Sequence, residues 1–449
     1  MCGVLAMAVI SVTVSLLWPW LDLQAKEDSR VVAVNQHLAT TGVERSRIRF
    51  VIDSKGRPSG VATTKLKSGD AVMSVPVASC ADTAVIAASP IGALVMGDET
   101  KVANAVLLEN GLSTVSLPDV LAAAYMAAEE RKGPGSPWVG FFAAIANAEA
   151  GGALTWPKDV AKACLEPRLR QEGVMSEDVV NATTHILAQL CAPAADADAD
   201  AVARAAAACP SKPFAKEDVK RALHVYTQHN YHTVLIPGVV LLRFDNAKKG
   251  IGLRLSQDGK AFDVVVQQPV RAGEEVVVNF LRGPGPFFHR LGVFRPDTAK
   301  GVELSAVVSQ ESEAGRLACT QQIQDMVFAA NGFPHPALVR CAAVMVAPEK
   351  LKMKIAKKGK IPAEIKAYAL GNLSYAAQHV AEGYAEPDYS HPLCNESSIG
   401  RQMKALGEWS LDVLKRNQEN LKRQYEAAAS EAGIPTQLPP MAPPLMEPP

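Results

Sequence analysis

Two stretches that lie far apart in the chain decide the fold: GRPSGVATTKLKSGDAVMSVP at residues 56–76 and VVVQQPVRAGEEVVVNFLRGPGPFFHRLGVF at residues 264–294. Each places a run of β-branched residues beside a glycine-containing turn, a pattern typical of short antiparallel strands. The same signals predict strands at 48–52, 71–77, 234–242, 252–255, 261–267 and 275–280. The sequence therefore predicts small sheets whose two halves are separated by a long insertion.

Helical periodicity dominates the rest of the chain. Residues 84–190 are rich in Ala and Leu and predict a helical insert, and apolar residues at helical spacing predict later helices at 317–331, 337–347, 362–383 and 398–430. Residues 192–213 lack large apolar side chains, which predicts a surface loop or flexible insert. The fold class is thus α+β, with small antiparallel sheets, a helical insert and an all-helical C-terminal domain.

The two ends of the chain have distinct compositions. Residues 4–21 are almost wholly apolar and nearly long enough to span a hydrocarbon core as a helix. We expect a signal peptide or signal anchor at 1–25, hence membrane attachment or the secretory pathway, with a plastid or similar organelle as the alternative destination. Burial as a first helix or strand is the competing interpretation. Residues 433–449 are proline-rich and predict an extended, solvated tail.

The charges and cysteines exclude several function classes. Lys plus Arg equals Asp plus Glu at 46 each, so no global field favours nucleic acid. The eight cysteines contain no CxxC pair, which excludes a zinc ribbon and favours buried free thiols over a disulfide framework. Gly-x-Ser-x-Gly, HExxH and the kinase signatures are absent, so hydrolase, zincin and kinase functions have no support.

Two local clusters have a functional and a structural interpretation. His229 and His232 are spaced as two metal ligands on one helical turn, but no further ligand completes a set, so we predict surface or capping histidines and no metal site. The lysine-rich segment at 350–360 either docks an acidic protein, nucleic acid or anionic lipid, or is a solvated loop between helices. The lack of interleaved aromatic residues favours the loop.

The first stretch quoted above resembles the opening hairpin of SET-domain methyltransferases, and the second resembles their closing part, where an Ala-Gly-Glu-Glu-Val strand precedes a catalytic tyrosine. Residues 123–146 are similar to the helical insert of the Rubisco large-subunit methyltransferase-like branch. The resemblance covers roughly residues 45–430. It implies a SET-like domain at 31–296 with an insert at about 84–225, followed by a helical substrate-binding-like domain at 303–430.

The resemblance implies a monomeric protein-lysine N-methyltransferase that uses S-adenosylmethionine and holds its protein substrate with the C-terminal helices. Ser59, Gly60 and Val61 fall at the cofactor, where a side chain on the glycine would obstruct the ligand. Arg243 and Phe244 fall on the family's Asn-His pair, and a small shift of the alignment brings in Asp245 instead. These residues are the predicted cofactor site.

The sequence departs from the family at catalytic positions. Phe280 stands at the catalytic tyrosine position and has no hydroxyl, Leu291 replaces a second tyrosine, and Gln228 matches an expected arginine. Compensation is expected from four residues just upstream of the Arg243 segment, namely Tyr226, His229, Tyr231 and His232, of which Tyr231 is the predicted catalytic residue. Weakened activity is therefore expected. The alternatives are a SET-like pseudoenzyme that serves as a protein-binding module, and a membrane-tethered scaffold unrelated to SET folds.

Overall fold

The computed structural model describes residues 28–437, except for residues 55, 98–116, 147–151, 193–198, 210–212, 232, 246–249, 280–283, 292–293, 297–298, 300, 304–312 and 320–326. The predicted signal segment, His232, Phe280 and most of the proline-rich tail lie outside these residues. In the part that is described, no helix combines the length and apolar character needed to cross a bilayer.

The first sheet-forming part begins with one helix and continues as four strands. Asp28 caps the helix with its side chain, and the order is α1 (Ser29–Thr40), β1 (Glu44–Arg45), β2 (Ile48–Ile52), β3 (Pro58–Ala62) and β4 (Ala71–Pro76). The helical insert then contains α2 (Thr83–Ala88), α3 (Pro90–Gly97), α4 (Leu117–Arg131), α5 (Val139–Ile145), α6 (Lys158–Cys164), α7 (Pro167–Leu190), α8 (Ala199–Ala208) and α9 (Lys216–His229).

The second part of the sheets follows the insert as β5 (Ile251–Leu255), β6 (Ala261–Val266), β7 (Glu275–Val276) and the short helix α10 (Pro284–Leu291). These strands pair with the first part in two antiparallel sheets, one in the order β1-β4-β6-β5 and one in the order β2-β3-β7. Gly60 lies opposite Val276 and Val61 opposite Glu275. The prediction that the two quoted stretches meet is therefore confirmed.

The C-terminal region is mostly helical and begins with a two-stranded sheet. Its elements are β8 (Gly301–Glu303), α11 (Glu313–Cys319), β9 (Val327–Ala329), α12 (Pro336–Val346), α13 (Glu349–Lys358), α14 (Ala363–Ala385), α15 (Pro392–Glu396) and α16 (Ser398–Ala432). The three helices predicted at 337–347, 362–383 and 398–430 are confirmed as α12, α14 and α16. Leu373, Leu414 and Leu421 are buried in the core that these helices share.

A third, smaller core cluster joins the insert to the C-terminal helices. Cys164 of α6 and Cys394 of α15 are fully buried in it and form a disulfide between residues 230 positions apart. Phe288 of α10 is buried in the same cluster. The insert, the short helix after the sheets and the C-terminal helices are thus packed together by hydrophobic burial and by one covalent bond.

The cysteine prediction was wrong. Besides Cys164–Cys394, the structure contains the disulfides Cys191–Cys209 and Cys319–Cys341, and Cys80 is a buried free thiol. The two cysteines of each pair lie in, or directly after, different helices, so no local spacing pattern reveals the pairing.

Two secondary-structure predictions were also wrong. The strand predicted at 234–242 is a turn, in which Gly238 has a φ of 80° and residues Val239–Leu241 form a 3-10 helix. Its apolar residues reflect burial rather than strand pairing. The helix predicted at 317–331 gives way to α11 and the strand β9, because Val327 and Phe328 pair with β8.

The predicted loops were wrong for a related reason. Within residues 192–213, the alanine-rich stretch Ala199–Ala208 forms α8, since Ala has the highest intrinsic helix propensity and Ala205 and Ala208 are buried. The lysine-rich segment forms α13, because Ile355 and Ala356 are buried while the lysines remain outside.

Candidate cofactor and substrate site

Strand β3 forms the floor of the candidate site. It lies between β2 and β7, and all five of its residues are buried. A Cβ on Gly60 would lie 2.5 Å from Leu242 Cδ2 and 2.6 Å from Ile48 Cδ1. The structure therefore gives a different reason for glycine from the one expected: two hydrophobic side chains occupy the space, so packing requires glycine even without a ligand. Val61 is buried beside it.

A chain of polar contacts crosses this floor. The Ser59 hydroxyl donates to Glu275 Oε1 at 2.5 Å, across 216 positions of sequence, and the Arg243 guanidinium pairs with the other oxygen of Glu275. Arg243 Nη2 also lies 3.7 Å from Asp245 Oδ2, which Arg295 approaches from the other side at 3.5 Å. We call Ser59, Arg243, Asp245, Glu275 and Arg295 the polar network. It unites three predicted site residues.

Backbone pairing sets the position of Arg243 and Asp245. The Asp245 N–H donates to the Val278 carbonyl at 2.9 Å, and the Val278 N–H donates to the Arg243 carbonyl at 2.8 Å. Phe244 pairs with Val278 in parallel as a bridge. Because side chains alternate along an extended segment, Arg243 and Asp245 share one face and Phe244 faces the other way.

Phe244 and Tyr231 are connected through α10. The Arg290 guanidinium carbon lies 4.4 Å from the centre of the Phe244 ring, and Arg290 also donates to the carbonyl of Asn230. Tyr231 follows Asn230 and forms a tight two-residue bridge with Val234 through backbone hydrogen bonds. Its side chain is half-buried, and burial raises the pKa of its hydroxyl.

Two other candidates near this turn have structural roles. The Tyr226 hydroxyl donates to the Thr233 carbonyl at 2.9 Å, and burial raises its pKa to about 12. His229 is not a surface histidine: it is half-buried, its Nδ1 bonds to the Val240 carbonyl at 2.7 Å, and its ring meets Phe141 edge-on. Both residues hold the 226–242 segment against the core.

Sequence reasoning missed Glu275 and Arg295 as site residues. The signal for Glu275 was present in the doubled acid of the Ala-Gly-Glu-Glu-Val strand. Glu274 accepts from the Arg271 N–H in the turn, so alternation turns the next carboxylate, that of Glu275, to the opposite face and toward Ser59. No sequence signal indicated Arg295, because it reaches Asp245 from beyond α10.

Among the described residues, no three His, Cys, Asp or Glu side chains converge as a metal-binding group. The network is instead a set of two carboxylates and two guanidinium groups, with Asp245 only 5% exposed. Guanidinium and carboxylate groups side by side offer a small ligand both a positively and a negatively charged contact. The arrangement can therefore hold a small zwitterion.

No family model and no curated protein matches the chain. Solved structures do. The SET domain of LSMT bound to MeLysine and AdoHcy is similar with a TM-score of 0.54 and 13% identity, over 89% of this chain and 93% of that chain. Rubisco LSMT bound to sinefungin and monomethyllysine is similar with a TM-score of 0.53 and 13% identity, over the same shares of the two chains. Rubisco LSMT bound to AdoMet is similar with a TM-score of 0.52 and 14% identity, over 89% of this chain and 93% of that chain. The chain therefore has a SET-like fold with a helical C-terminal region.

Proposed function

We propose that this chain is a SET-type protein-lysine N-methyltransferase that uses S-adenosylmethionine. The observation that supports it is the pairing of Gly60 and Val61 with Val276 and Glu275, which assembles the polar network on the SET-like floor. The similar solved structures hold AdoMet, AdoHcy or methyllysine. No nucleic acid and no metal are part of this proposal.

The residues of the network fit the amino-acid end of that cofactor, which carries one carboxylate and one ammonium group. In the described part of the chain, Arg243 Nε is a buried donor without a hydrogen-bond partner, and an acceptor on a ligand would satisfy it. Asp245 and Glu275 offer carboxylate oxygens to an ammonium group. The cofactor, when bound, supplies an electrophilic methyl group.

The acceptor amine must be uncharged and in line with that methyl group, so the protein's task is to position and desolvate a lysine side chain. Phe280, which stands at the family's tyrosine position in the sequence, has no hydroxyl. We propose that Tyr231 supplies the hydroxyl. The raised pKa of Tyr231 keeps it protonated at neutral pH, so it orients the amine and does not remove its proton.

The second candidate function is a SET-like pseudoenzyme that binds a protein partner. The observation that favours it is that Arg243 is already paired with Glu275 and Asp245, so a ligand must compete with these contacts. A phenylalanine in place of tyrosine at position 280 of the sequence also agrees with a site that has lost catalysis.

Calorimetric titration with S-adenosylmethionine separates the two functions. The proposal requires saturable binding that is lost in Arg243→Leu and retained in Arg254→Leu, a matched control because Arg254 pairs with Asp263 on the β5–β6 edge. Circular dichroism verifies that both variants fold. No binding at millimolar cofactor leaves only the pseudoenzyme.

Methyl transfer is measured separately, with tritiated cofactor and lysine-containing proteins. Phe280→Tyr is expected to increase the transfer rate, because it restores the hydroxyl that aligns the amine. Cofactor binding without transfer in either form would contradict the enzymatic part of the proposal.

The remaining assignments are proposals about organisation. Residues 31–296 would carry the cofactor site, and residues 303–430 would hold the protein substrate against it. Residues 1–25 would direct the chain to a membrane, the secretory pathway or an organelle such as a plastid.

A further inference from the structure

The exposed side of α13 is a continuous lysine stripe. Lys350, Lys354, Lys357 and Lys358 are all exposed, and their spacing of three and four residues places them on one face of the helix. The opposite side, with Ile355 and Ala356, is buried in the core of the C-terminal region. The stripe spans about 12 Å of helix axis.

Acidic residues are scarce on α13 itself. Glu349 is the one acidic residue of α13, and it pairs with Lys352 at 2.8 Å, outside the stripe. Within the described residues, none of the four stripe lysines forms a salt bridge. Lys360, just beyond the end of the helix, is also exposed and adds to the same positive field.

The long helix α16 of the same region shows how a solvated helix face is normally built. There Lys404 lies opposite Glu408 at 3.9 Å, and Asp412 pairs with Arg416 at 2.6 Å, each four residues apart. Acidic and basic residues alternate along that helix, as expected for a face that only contacts water. The four lysines of α13 depart from this pattern.

Helix stability does not account for the stripe. The helix dipole favours Lys357 and Lys358 in the last turn, which Gly359 ends with a φ of 67°. It does not favour Lys350 at the other end. Lys350, Lys354 and Lys358 follow one another at spacings of four residues, which places like charges side by side and destabilises the helix. The arrangement therefore carries a cost that local structure does not recover.

Three classes of anionic partner fit a positive stripe, and the composition distinguishes them. Phosphate groups are held most specifically by the bidentate guanidinium of arginine, and the stripe contains only lysine. No aromatic residue lies between the lysines to stack on bases. A membrane-surface helix inserts its apolar face, whereas the apolar face of α13 is already buried.

We propose that the lysine stripe of α13 docks an acidic polypeptide segment, rich in Asp and Glu, through lysine–carboxylate pairs. The inference concerns the C-terminal region alone. It does not depend on methyl transfer, because binding is read directly.

The test uses fluorescence anisotropy of a labelled oligoglutamate peptide titrated with the full chain at low and physiological salt. The triple variant Lys350→Glu, Lys354→Glu, Lys358→Glu is compared with a matched control, Lys415→Glu, Lys422→Glu, Arg423→Glu, which reverses three exposed charges on α16. Both variants change the net charge equally. Unfolding curves of each variant verify that the fold is kept.

We expect the α13 variant to weaken peptide binding by about tenfold or more, and the control to change it by less than about twofold, because screened charges act over about one Debye length. Equal weakening by both variants would reduce the effect to net charge and overturn the proposal. Absence of peptide binding would overturn it too. Tighter binding to phosphatidylserine vesicles or to a single-stranded oligonucleotide than to the peptide would show that the partner class is wrong.

Discussion

The charges of the polar network and those of the α13 lysine stripe lie in opposite surroundings. Arg243, Asp245 and Glu275 are at most about a quarter exposed, and both carboxylates pair with Arg243. Lys350 and Lys354 are exposed, and neither forms a salt bridge with any residue that the structure describes. Buried charges are costly unless they are paired, so their positions are fixed by the fold. Exposed charges contribute little to stability, so their positions are free to serve recognition. Removing a charge should therefore lower the free energy of unfolding in the polar network and leave it unchanged or slightly higher in the lysine stripe.

The largest expected effect on stability comes from removing the disulfide that joins the helical insert to the C-terminal helices. Replacing Cys164 and Cys394 by Ala should lower the free energy of unfolding by about 5 kcal/mol, because their disulfide closes the longest loop. The control, Cys191 and Cys209 to Ala, opens a loop of 18 residues and should cost about 3 kcal/mol. Urea unfolding measures both. Equal losses would contradict the loop-length argument.

Acid should destabilise the sheet-containing part before the C-terminal helices. Burial lowers the pKa of His37, His224 and His229 to about 4, from an ordinary value of 6.5. The unfolded chain therefore takes up more protons as the pH falls from about 6.5 to about 4, and stability is lost over that window. The loss should reach several kcal/mol in total. By contrast, His379 and His391 of the C-terminal region are exposed.

Urea unfolding at a series of pH values measures this dependence. A His37→Phe variant keeps a ring against Trp138 and Phe141, and it should reduce the slope by about one proton. A flat profile between pH 6.5 and pH 4 would show that these histidines titrate normally in the folded chain.

Removing the central cation of the network should cost less than either change above. Arg243→Leu leaves Glu275 and part of Asp245 uncompensated and should destabilise the fold by about 2–4 kcal/mol. Arg254→Leu breaks an exposed pair with Asp263 and should cost less than about 1 kcal/mol. A loss of similar size in both would remove the distinction between buried and exposed charges.

Gly60→Ala tests the packing of the floor beneath the network. The added methyl group meets Leu242 and Ile48 and should cost about 1–3 kcal/mol in thermal unfolding experiments. The penalty should shrink in an Ile48→Val background, which removes one of the two opposing methyl groups. Gly135→Ala is the control, since nothing lies within 4 Å of a Cβ there.

The smallest expected effect has the opposite sign. Lys354→Gln removes a like-charge neighbour of both Lys350 and Lys358 and should raise stability by about 0.2–0.5 kcal/mol. Guanidinium chloride masks the effect by screening, so urea at low salt is the appropriate denaturant. A measurable loss would mean that Lys354 has a favourable contact within the folded chain.

The sequence predicted the parts of the site that depend on local pattern. The β-branched runs and their turns predicted β3 and β7, and the resemblance assigned Ser59 and Arg243 to one predicted site. In the structure, both residues contact Glu275. The contacts of Arg295 with Asp245 and of Leu242 with Gly60 were not predictable. Each is a tertiary contact, and tertiary contacts of this kind produce no periodic pattern in the sequence. The turn at Gly238 was mistaken for a strand, since burial on all sides produces the same apolar run in either conformation.

The disulfide pairing could not be predicted from the sequence for the same reason, because it depends on tertiary contacts. Eight cysteines allow 105 complete pairings, so the sequence offered no way to choose among them. The C-terminal helices were easier, because α14 and α16 are long and strongly periodic.

The link between Cys164 and Cys394 also imposes an order on biosynthesis. The ribosome delivers the insert long before α15, so Cys164 must wait as a thiol until nearly the whole chain has emerged. A fragment that stops before α15 would expose this thiol to mispairing with Cys191 or Cys209, which are translated soon afterwards. The part of the chain before the C-terminal helices is therefore not expected to form its correct disulfides when it is expressed without α15.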